Sequence, residues 1–163
     1  MKAITLWQPW ASLLACGAKA FETRSWATSY RGPIAIHAAA KKPSGIWGAI
    51  EPIIDRVREL LHITDPDELP RGAVIATAEL VGCYKIVRYG GRGLSGNDPG
   101  WIDDDEKGIY FPSEQELMFG DWTPGRYAWE LADVKILPEP IPAKGMQGLW
   151  NWEVTEGARG DVR

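Results

Sequence analysis

The stretch GAVIATAELVGCYKI, residues 72–86, carries the strongest strand signal of the chain. It follows directly on an arginine, opens with a glycine and is apolar on nearly both faces, which predicts a long strand buried within a sheet. A strand of this length usually bends around a barrel, and Gly82 is the expected position of the bend. The stretch therefore indicates a small β-barrel.

Shorter segments on both sides supply the other elements of such a domain. Apolar periodicity predicts strands at residues 3–6, 20–26, 34–38 and 126–137, and helices at residues 7–17, 45–61 and 113–119. Pro52 predicts a kink or a break in the second helix. Together these patterns predict an α+β fold, with a barrel of about five to six strands flanked by two or three helices.

The chain length fits one domain, which we expect to span residues 1–155. Residues 88–125 are rich in Gly, Asp and Pro, so we interpret them as an inserted, ordered loop or lid. The last residues, 156–163, are expected to fray.

Charge is distributed unevenly along the sequence. The net charge of −4 argues against a protein that coats RNA through charge alone. Residues 1–42 nevertheless hold six Lys and Arg residues against a single acid, Glu22, for a net charge of +5, which leaves −9 on the rest. A basic site on an acidic body favours a local anionic ligand.

The sequence gives no sign of a metal, a cofactor or a membrane segment. Cys16 and Cys83 show neither a metal-binding nor a disulfide spacing, and we expect both thiols to be buried. No apolar run approaches 18 residues and the start does not resemble a signal peptide, so we predict a cytoplasmic protein. We expect a monomer without cofactor or metal.

The segment GAKAFETRSW, residues 17–26, concentrates charge at the end of the first helix and in the following strand. Strand alternation places Glu22, Arg24 and Trp26 on one face. Arg24 can then hold Glu22 ionised, while Lys19 binds a phosphate or, if desolvated, acts as a base or nucleophile. The alternative is a solvated salt bridge worth under about 1 kcal/mol.

The same region resembles a known family. The matching segments are QPWASLL (8–14), GAKAFETRSW (17–26), YRG (30–32), IAIHAA (34–39) and GMQGLWNW (145–152). This ordered series resembles the ASCH domain family of the PUA-like superfamily of small β-barrels. The resemblance implies a pseudo-barrel whose cleft is lined by the Lys19, Glu22 and Arg24 stretch. It also implies RNA, another single-stranded nucleic acid or a modified nucleoside as the ligand.

Some members of that family resemble enzymes that deacetylate N4-acetylcytidine or cleave RNA. The resemblance implies a Lys-x-x-Thr pair in the deacetylases, whereas here Glu22 stands three residues after Lys19. We therefore favour a binding module. The alternative is a hydrolase, an amidohydrolase or ribonuclease, with Lys19 and Glu22 as catalytic residues; a small-molecule or protein-interaction domain is a third hypothesis.

Six further residues are candidates for ligand contacts, and each has a structural alternative. Trp26 and Trp150 can stack on a base or pack in the core. Gln8 can face the cleft or cap the first helix, and Arg31 can meet a phosphate or lie solvated in a turn. His37 can contact a ligand or belong to the core. Gln147 lies between glycines that allow close backbone approach or simply form a turn.

Overall fold

The computed structural model describes residues 1–41, 51–89, 98–103 and 108–153. Within it the chain packs into two compact units, each assembled from separate stretches of sequence. The first unit contains Met1–Cys16, Pro33–Ala78 and the chain from Val134 onward, and the second contains Gly17–Gly32 and Glu79–Asp133.

The strands and helices of the described residues confirm an α+β fold. The strands are β1 (Lys2–Leu6), β2 (Phe21–Arg24), β3 (Gly32–Ala38), β4 (Ala73–Lys85), β5 (Val87–Tyr89), β6 (Asp98–Asp103), β7 (Gly108–Tyr110), β8 (Tyr127–Pro142) and β9 (Leu149–Asn151). The helices are α1 (Trp10–Ala15), α2 (Ile54–Leu61) and α3 (Glu114–Phe119). Backbone hydrogen bonds order six strands as β2-β8-β4-β3-β1-β9 and three as β5-β6-β7. This arrangement agrees with a small PUA-like barrel flanked by helices.

Strand β1 organises the first unit. It pairs in parallel with β3, where Ala3 lies beside Ala35, and antiparallel with β9, where Ala3 lies beside Trp150. A parallel pair needs a crossover connection, and the chain that leaves β1 through α1 and returns at β3 supplies it. The core of this unit consists of Ala3, Ala35, Val74, Trp150 and Trp152, with Leu137, Ile141 and Ala143 packed against it.

The helices follow the sequence signals closely. Helix α1 buries Leu13 and Leu14, and the chain leaves it through Gly17, whose φ of +76° is a conformation that glycine adopts readily. The predicted second helix is described from Glu51 as a 3-10 turn, Glu51–Ile53, followed by α2. Residues 42–50 lie outside the described residues, so the kink or break at Pro52 stays a prediction. Among the described residues, the helices are too short and too polar for any of them to cross a membrane.

The second unit contains the paired strands β2 and β8 and the three-stranded sheet β5-β6-β7. Strand β2 pairs antiparallel with β8, so that Glu22 lies beside Trp129 and Arg24 beside Tyr127. Strand β6 pairs antiparallel with both β5 and β7. Helix α3 begins at Ser113, whose side chain accepts a hydrogen bond from the backbone N–H of Glu116 and caps the helix.

Stacked aromatic rings fill the core of the second unit. Trp101 is their centre: its ring lies 5.0 Å from Phe21 and 5.8 Å from Trp122, and it also contacts Tyr84 and Tyr110. Ile86 and Ala128 complete this cluster. Two of the nine tryptophans, Trp101 and Trp122, are thus part of a core that contains few aliphatic side chains.

Two expectations from the sequence need correction. The prediction that both thiols are buried is wrong for Cys16, which is exposed, with its Sγ within 3.4 Å of the Leu13 carbonyl oxygen; Cys83 is half-buried. The segment 88–125 holds regular structure beyond the predicted short helix, namely β6, β7 and the end of β5. Its role as a lid, and the boundaries of a single domain over 1–155, stay predictions.

The central position of Trp101 predicts a large loss of stability on truncation. Trp101→Ala removes the ring that four other aromatic side chains contact, so we expect the free energy of unfolding to fall by about 3–5 kcal/mol. Trp7→Ala is the matched control, because Trp7 is half-exposed and should cost less than about 1 kcal/mol. Urea denaturation measures both; equal losses would contradict this packing.

Candidate functional site

Lys19 is buried at the start of β2. Only 1% of its side-chain surface is exposed, although the side chain ends in a charged ammonium group. Its Nζ donates a hydrogen bond to the Phe21 carbonyl oxygen and lies 3.4 Å from Oε2 of Glu22. An ammonium group can be buried only with such partners, so the Lys19 side chain is committed to the adjacent strand β2.

Glu22 is held by cations on both of its oxygens. Oε2 faces Lys19, and Oε1 lies 3.2 Å from Nε of Arg24. Glu22 is 13% exposed and Arg24 is 25% exposed, so the carboxylate stays accessible at one edge. The predicted pairing of Glu22 with Arg24 is present, and the two cations hold the carboxylate in a defined orientation.

The other face of β2 is occupied by structural contacts, as strand alternation predicts. Phe21 packs against Trp101 and Trp122. Thr23 is buried, its Oγ1 accepts a hydrogen bond from the backbone N–H of Asp121, and its carbonyl oxygen accepts one from Arg126. The hydroxyl nearest to Glu22 in sequence is therefore committed on the opposite side of the strand.

Glu116 belongs to this cluster, and sequence reasoning missed it. Its Oε1 lies 2.5 Å from the backbone N of Ala20 and 3.4 Å from that of Phe21, and accepts from both. Its Oε2 is buried without a hydrogen-bond partner. Burial raises the pKa of the Glu116 carboxyl, while the Ala20 N–H and the charge of Lys19 oppose that rise.

The sequence pattern around Glu116 predicts a helix cap and not a contact with the segment of Lys19. Ser113 and Glu116 have the Ser-x-x-Glu spacing of a capping box, in which the Glu side chain folds back to the start of its own helix. Here the Ser113 half of the motif is present, at 3.1 Å, but the carboxylate reaches across to Ala20 instead. Gln115 adds a hydrogen bond from Nε2 to the Ala18 carbonyl oxygen, at 2.7 Å.

Trp26 lies just beyond β2 and is 36% exposed. Its ring packs edge-to-face on Trp129, with centroids 4.6 Å apart and planes at 87°. The Trp129 Nε1 also donates a hydrogen bond to the Trp26 carbonyl oxygen, at 3.2 Å. Trp26 is thus an anchored indole with more than a third of its surface accessible, and its stacking role stays a prediction.

Arg31 is exposed and serves its own turn. Its Nη1 donates to the carbonyl oxygens of Thr28 and Tyr30, at 3.0 and 2.8 Å. These bonds fix the chain that leads into β3. The guanidinium keeps further N–H groups for solvent or a phosphate, and that contact also stays a prediction.

Gln8, in the first unit, has both ends of its amide engaged. Its Oε1 accepts a hydrogen bond from the backbone N–H of Ser12 at 3.1 Å, and its Nε2 donates to the Pro70 carbonyl oxygen at 2.8 Å. The side chain is buried. Of the two roles that the sequence offered for Gln8, the structure therefore shows the one in which its side chain caps the start of α1.

His37 and Trp150 pack together in the first unit. His37 is buried, its Nε2 lies 3.0 Å from the Ala143 carbonyl oxygen, and its ring meets Trp150 edge-to-face at 5.6 Å. Trp150 is buried and donates from Nε1 to Oγ1 of Thr5 at 3.1 Å. Both residues have the core packing that the sequence offered as the alternative. Gln147 is exposed in the turn before β9.

The candidates therefore divide between the units. The structure brings Lys19, Glu22 and Arg24 together in the second unit and adds Glu116 to them. Gln8, His37 and Trp150 form structural contacts within the first unit. Among residues 1–41, 51–89, 98–103 and 108–153, no three His, Cys, Asp or Glu side chains cluster as a metal site would require.

The burial of Lys19 predicts an order of effects on stability. Glu22→Ala leaves the Lys19 ammonium buried without its counter-charge, so we expect a loss of about 3–5 kcal/mol in the free energy of unfolding. Lys19→Met removes the buried charge and keeps the chain volume, so its loss should be smaller. Glu59→Ala, in the exposed pair with Arg56, should change stability by about 0.5 kcal/mol or less. The reverse order in chemical denaturation would contradict the buried pair.

His37 predicts a pH dependence of stability. Burial lowers the pKa of the His37 imidazole below 6.5, against the opposing hydrogen bond to Ala143. The unfolded chain therefore binds a proton at a higher pH than the folded chain, and stability is lost as the pH falls from 6.5 toward the folded pKa. His37→Gln should lack this component, so the stability difference between the variant and the unmodified protein should vary with pH below 6.5. A constant difference would refute the assignment.

Comparison with known proteins places the chain in a family. The family model of the ASCH domain matches residues 4–135. Activating signal cointegrator 1 from Homo sapiens is 36% identical to the chain over 86 residues, and the protein of the same name from Mus musculus is 34% identical over 86 residues. Each alignment covers 53% of this chain and 15% of the relative, so the chain spans a small part of those proteins. Since the family match covers most of the sequence, including β1 to β7 and the Lys19–Glu22–Arg24 cluster, the chain belongs to the ASCH domain family.

Proposed function

We propose that this protein binds single-stranded RNA or a modified nucleoside through the cluster of Lys19, Glu22 and Arg24. Membership of the ASCH family supports a nucleic-acid ligand. The observation that carries the proposal is the state of Glu22: both carboxylate oxygens face a cation, yet part of the group remains accessible. A cytoplasmic location is part of the same proposal.

Glu22 is suited to recognising hydrogen-bond donors on a base. An ionised carboxylate only accepts hydrogen bonds, so it selects the amino and imino N–H groups of base edges and repels their carbonyl oxygens. Because Lys19 and Arg24 already orient the carboxylate, little rotamer entropy is lost when a ligand binds. This arrangement favours the recognition of one base over the binding of a long backbone.

Lys19 orients Glu22 and does not itself contact a phosphate in the proposed complex. Its ammonium group is buried and bonded within the strand, so the phosphate contacts of the proposed complex fall to Arg24 and Arg31. With few cations available, the number of neutralised phosphates is small. We therefore expect a modest salt dependence of binding, which fits the acidic body of the protein.

Trp26 supplies the surface for stacking. Its backbone and ring are held by Trp129, and it follows Arg24 by two residues, just beyond the strand that carries Glu22 and Arg24. Stacking of a base on an aromatic side chain contributes roughly 1–3 kcal/mol. In the proposed complex a base stacks on Trp26 and directs its N–H donors toward Glu22. The stacking then provides affinity for any base, and Glu22 selects bases that present hydrogen-bond donors.

The contacts around Thr23 favour binding over hydrolysis. A hydrolase of the Lys-x-x-Thr kind needs a hydroxyl beside the lysine, and the position three residues after Lys19 is Glu22. Thr23, the next residue, is buried and accepts a hydrogen bond from Asp121. We retain hydrolysis as an outcome of the test below.

The proposal predicts which substitutions weaken RNA binding. For a short single-stranded RNA of mixed sequence, Trp26→Ala should raise Kd by about 5- to 150-fold through lost stacking. Glu22→Gln should raise Kd by about 10-fold or more through the lost charged acceptor. Trp7→Ala is the matched control, since Trp7 is an exposed tryptophan of the first unit. Fluorescence anisotropy, with circular dichroism to verify folding, measures each effect.

Three outcomes would overturn the proposal. Wild-type affinity in both Trp26→Ala and Glu22→Gln would exclude this site. A log–log salt slope steeper than about −5 would indicate extensive backbone binding instead. Release of acetate from N4-acetylcytidine, or cleavage of the RNA, would favour the hydrolase if Lys19→Ala abolished it.

A further inference from the structure

We propose that Glu116 is a positioning residue of this site that sets its net charge, so that RNA binding is coupled to proton uptake by the Glu116 carboxyl. The inference rests on the proposed function. It adds to the site a residue that the sequence pattern assigned to helix capping, and it identifies the proton as a second ligand.

Glu116 holds the segment that presents the other charged groups. Its Oε1 accepts hydrogen bonds from the backbone of both Ala20 and Phe21, directly between Lys19 and Glu22. Gln115, on the same helix, holds the Ala18 carbonyl oxygen. The first turn of α3 therefore fixes the backbone on both sides of Lys19, and changes at Glu116 act on the site through that segment.

The protonation state of Glu116 changes the charge of the cluster by one unit. With Glu116 ionised, Lys19 and Arg24 are balanced by Glu22 and Glu116, and the cluster is neutral. With Glu116 protonated, the cluster carries a charge of +1. An anionic RNA backbone binds more tightly to the positive state, so binding and protonation stabilise each other.

The surroundings of Glu116 make protonation accessible. The side chain is buried, and its Oε2 has no hydrogen-bond partner to stabilise a negative charge. Burial raises the pKa of this carboxyl above its ordinary value of 4.5, and the like charge of Glu22 acts in the same direction. Lys19 and the two backbone N–H groups act in the opposite direction without cancelling the rise.

The other charged groups near the cluster do not replace Glu116 in this role. Arg24 pairs with Glu22. Asp121, which follows α3, pairs with Arg126 at 3.2 Å, and Glu130 on β8 accepts a hydrogen bond from the Tyr84 hydroxyl. Glu114, on α3 itself, is exposed. Among the described residues, Glu116 is therefore the buried carboxyl whose protonation alters the charge next to Lys19.

The test is RNA binding as a function of pH, measured by calorimetry between about pH 5 and pH 8. The unmodified protein should bind more weakly as the pH rises, by up to about tenfold per unit where Glu116 titrates. Glu116→Gln keeps an oxygen acceptor for Ala20 and Phe21 but cannot ionise, so it should lose this slope and bind more tightly than the unmodified protein at high pH. Glu114→Gln, on the same helix, should keep the slope.

A purely structural role for Glu116 would change affinity equally at every pH, so the slope separates the two roles. If Glu116→Gln and the unmodified protein show the same slope, the inference is wrong. Should Glu116→Gln fail to fold, proton uptake by the unmodified protein decides, measured in two buffers of different ionisation enthalpy; no uptake would refute the coupling. RNA binding without pH dependence overturns this inference alone, whereas no RNA binding at any pH overturns the proposed function with it.

Discussion

The burial of one ammonium group constrains the whole of the second unit's charged cluster. Lys19 can lose its water only because the Phe21 carbonyl and the Glu22 carboxylate replace it. That requirement fixes the backbone between residues 19 and 22 and turns Glu22 toward Lys19. Arg24 then reaches the second oxygen of Glu22 from its own strand. A buried cation thus produces an anion with a defined orientation, which isolated surface charges do not achieve.

The burial of Lys19 determines which charged groups of the segment 17–26 remain accessible to a ligand. The excess of lysine and arginine in residues 1–42 suggested a basic, phosphate-seeking surface. In the folded protein the central lysine is committed internally, and the accessible groups are an oriented acceptor, an arginine and an indole. In the proposed complex, such a set would discriminate among bases more than it attracts phosphates. The net charge of −4 is consistent with a site that makes few phosphate contacts.

Local patterns predicted the parts of the fold and the site that depend on neighbours in sequence. Alternation in β2 separated Glu22 and Arg24 from Phe21 and Thr23, and apolar runs located β1, β3 and β4. The role of Glu116 depends on a contact between residues 96 positions apart in the sequence, which periodicity does not report. Helical periodicity likewise placed Cys16 on the buried side of α1, but it lies at the end of the helix, where the thiol is exposed.

The two compact units also differ from domains that are joined by a linker. Strands β4 (Ala73–Lys85) and β8 (Tyr127–Pro142) each begin in one unit and end in the other. Excising either unit would sever both strands in mid-length and leave unpaired backbone at the cuts. Gene fragments that cut the chain within either strand should therefore yield unfolded chains.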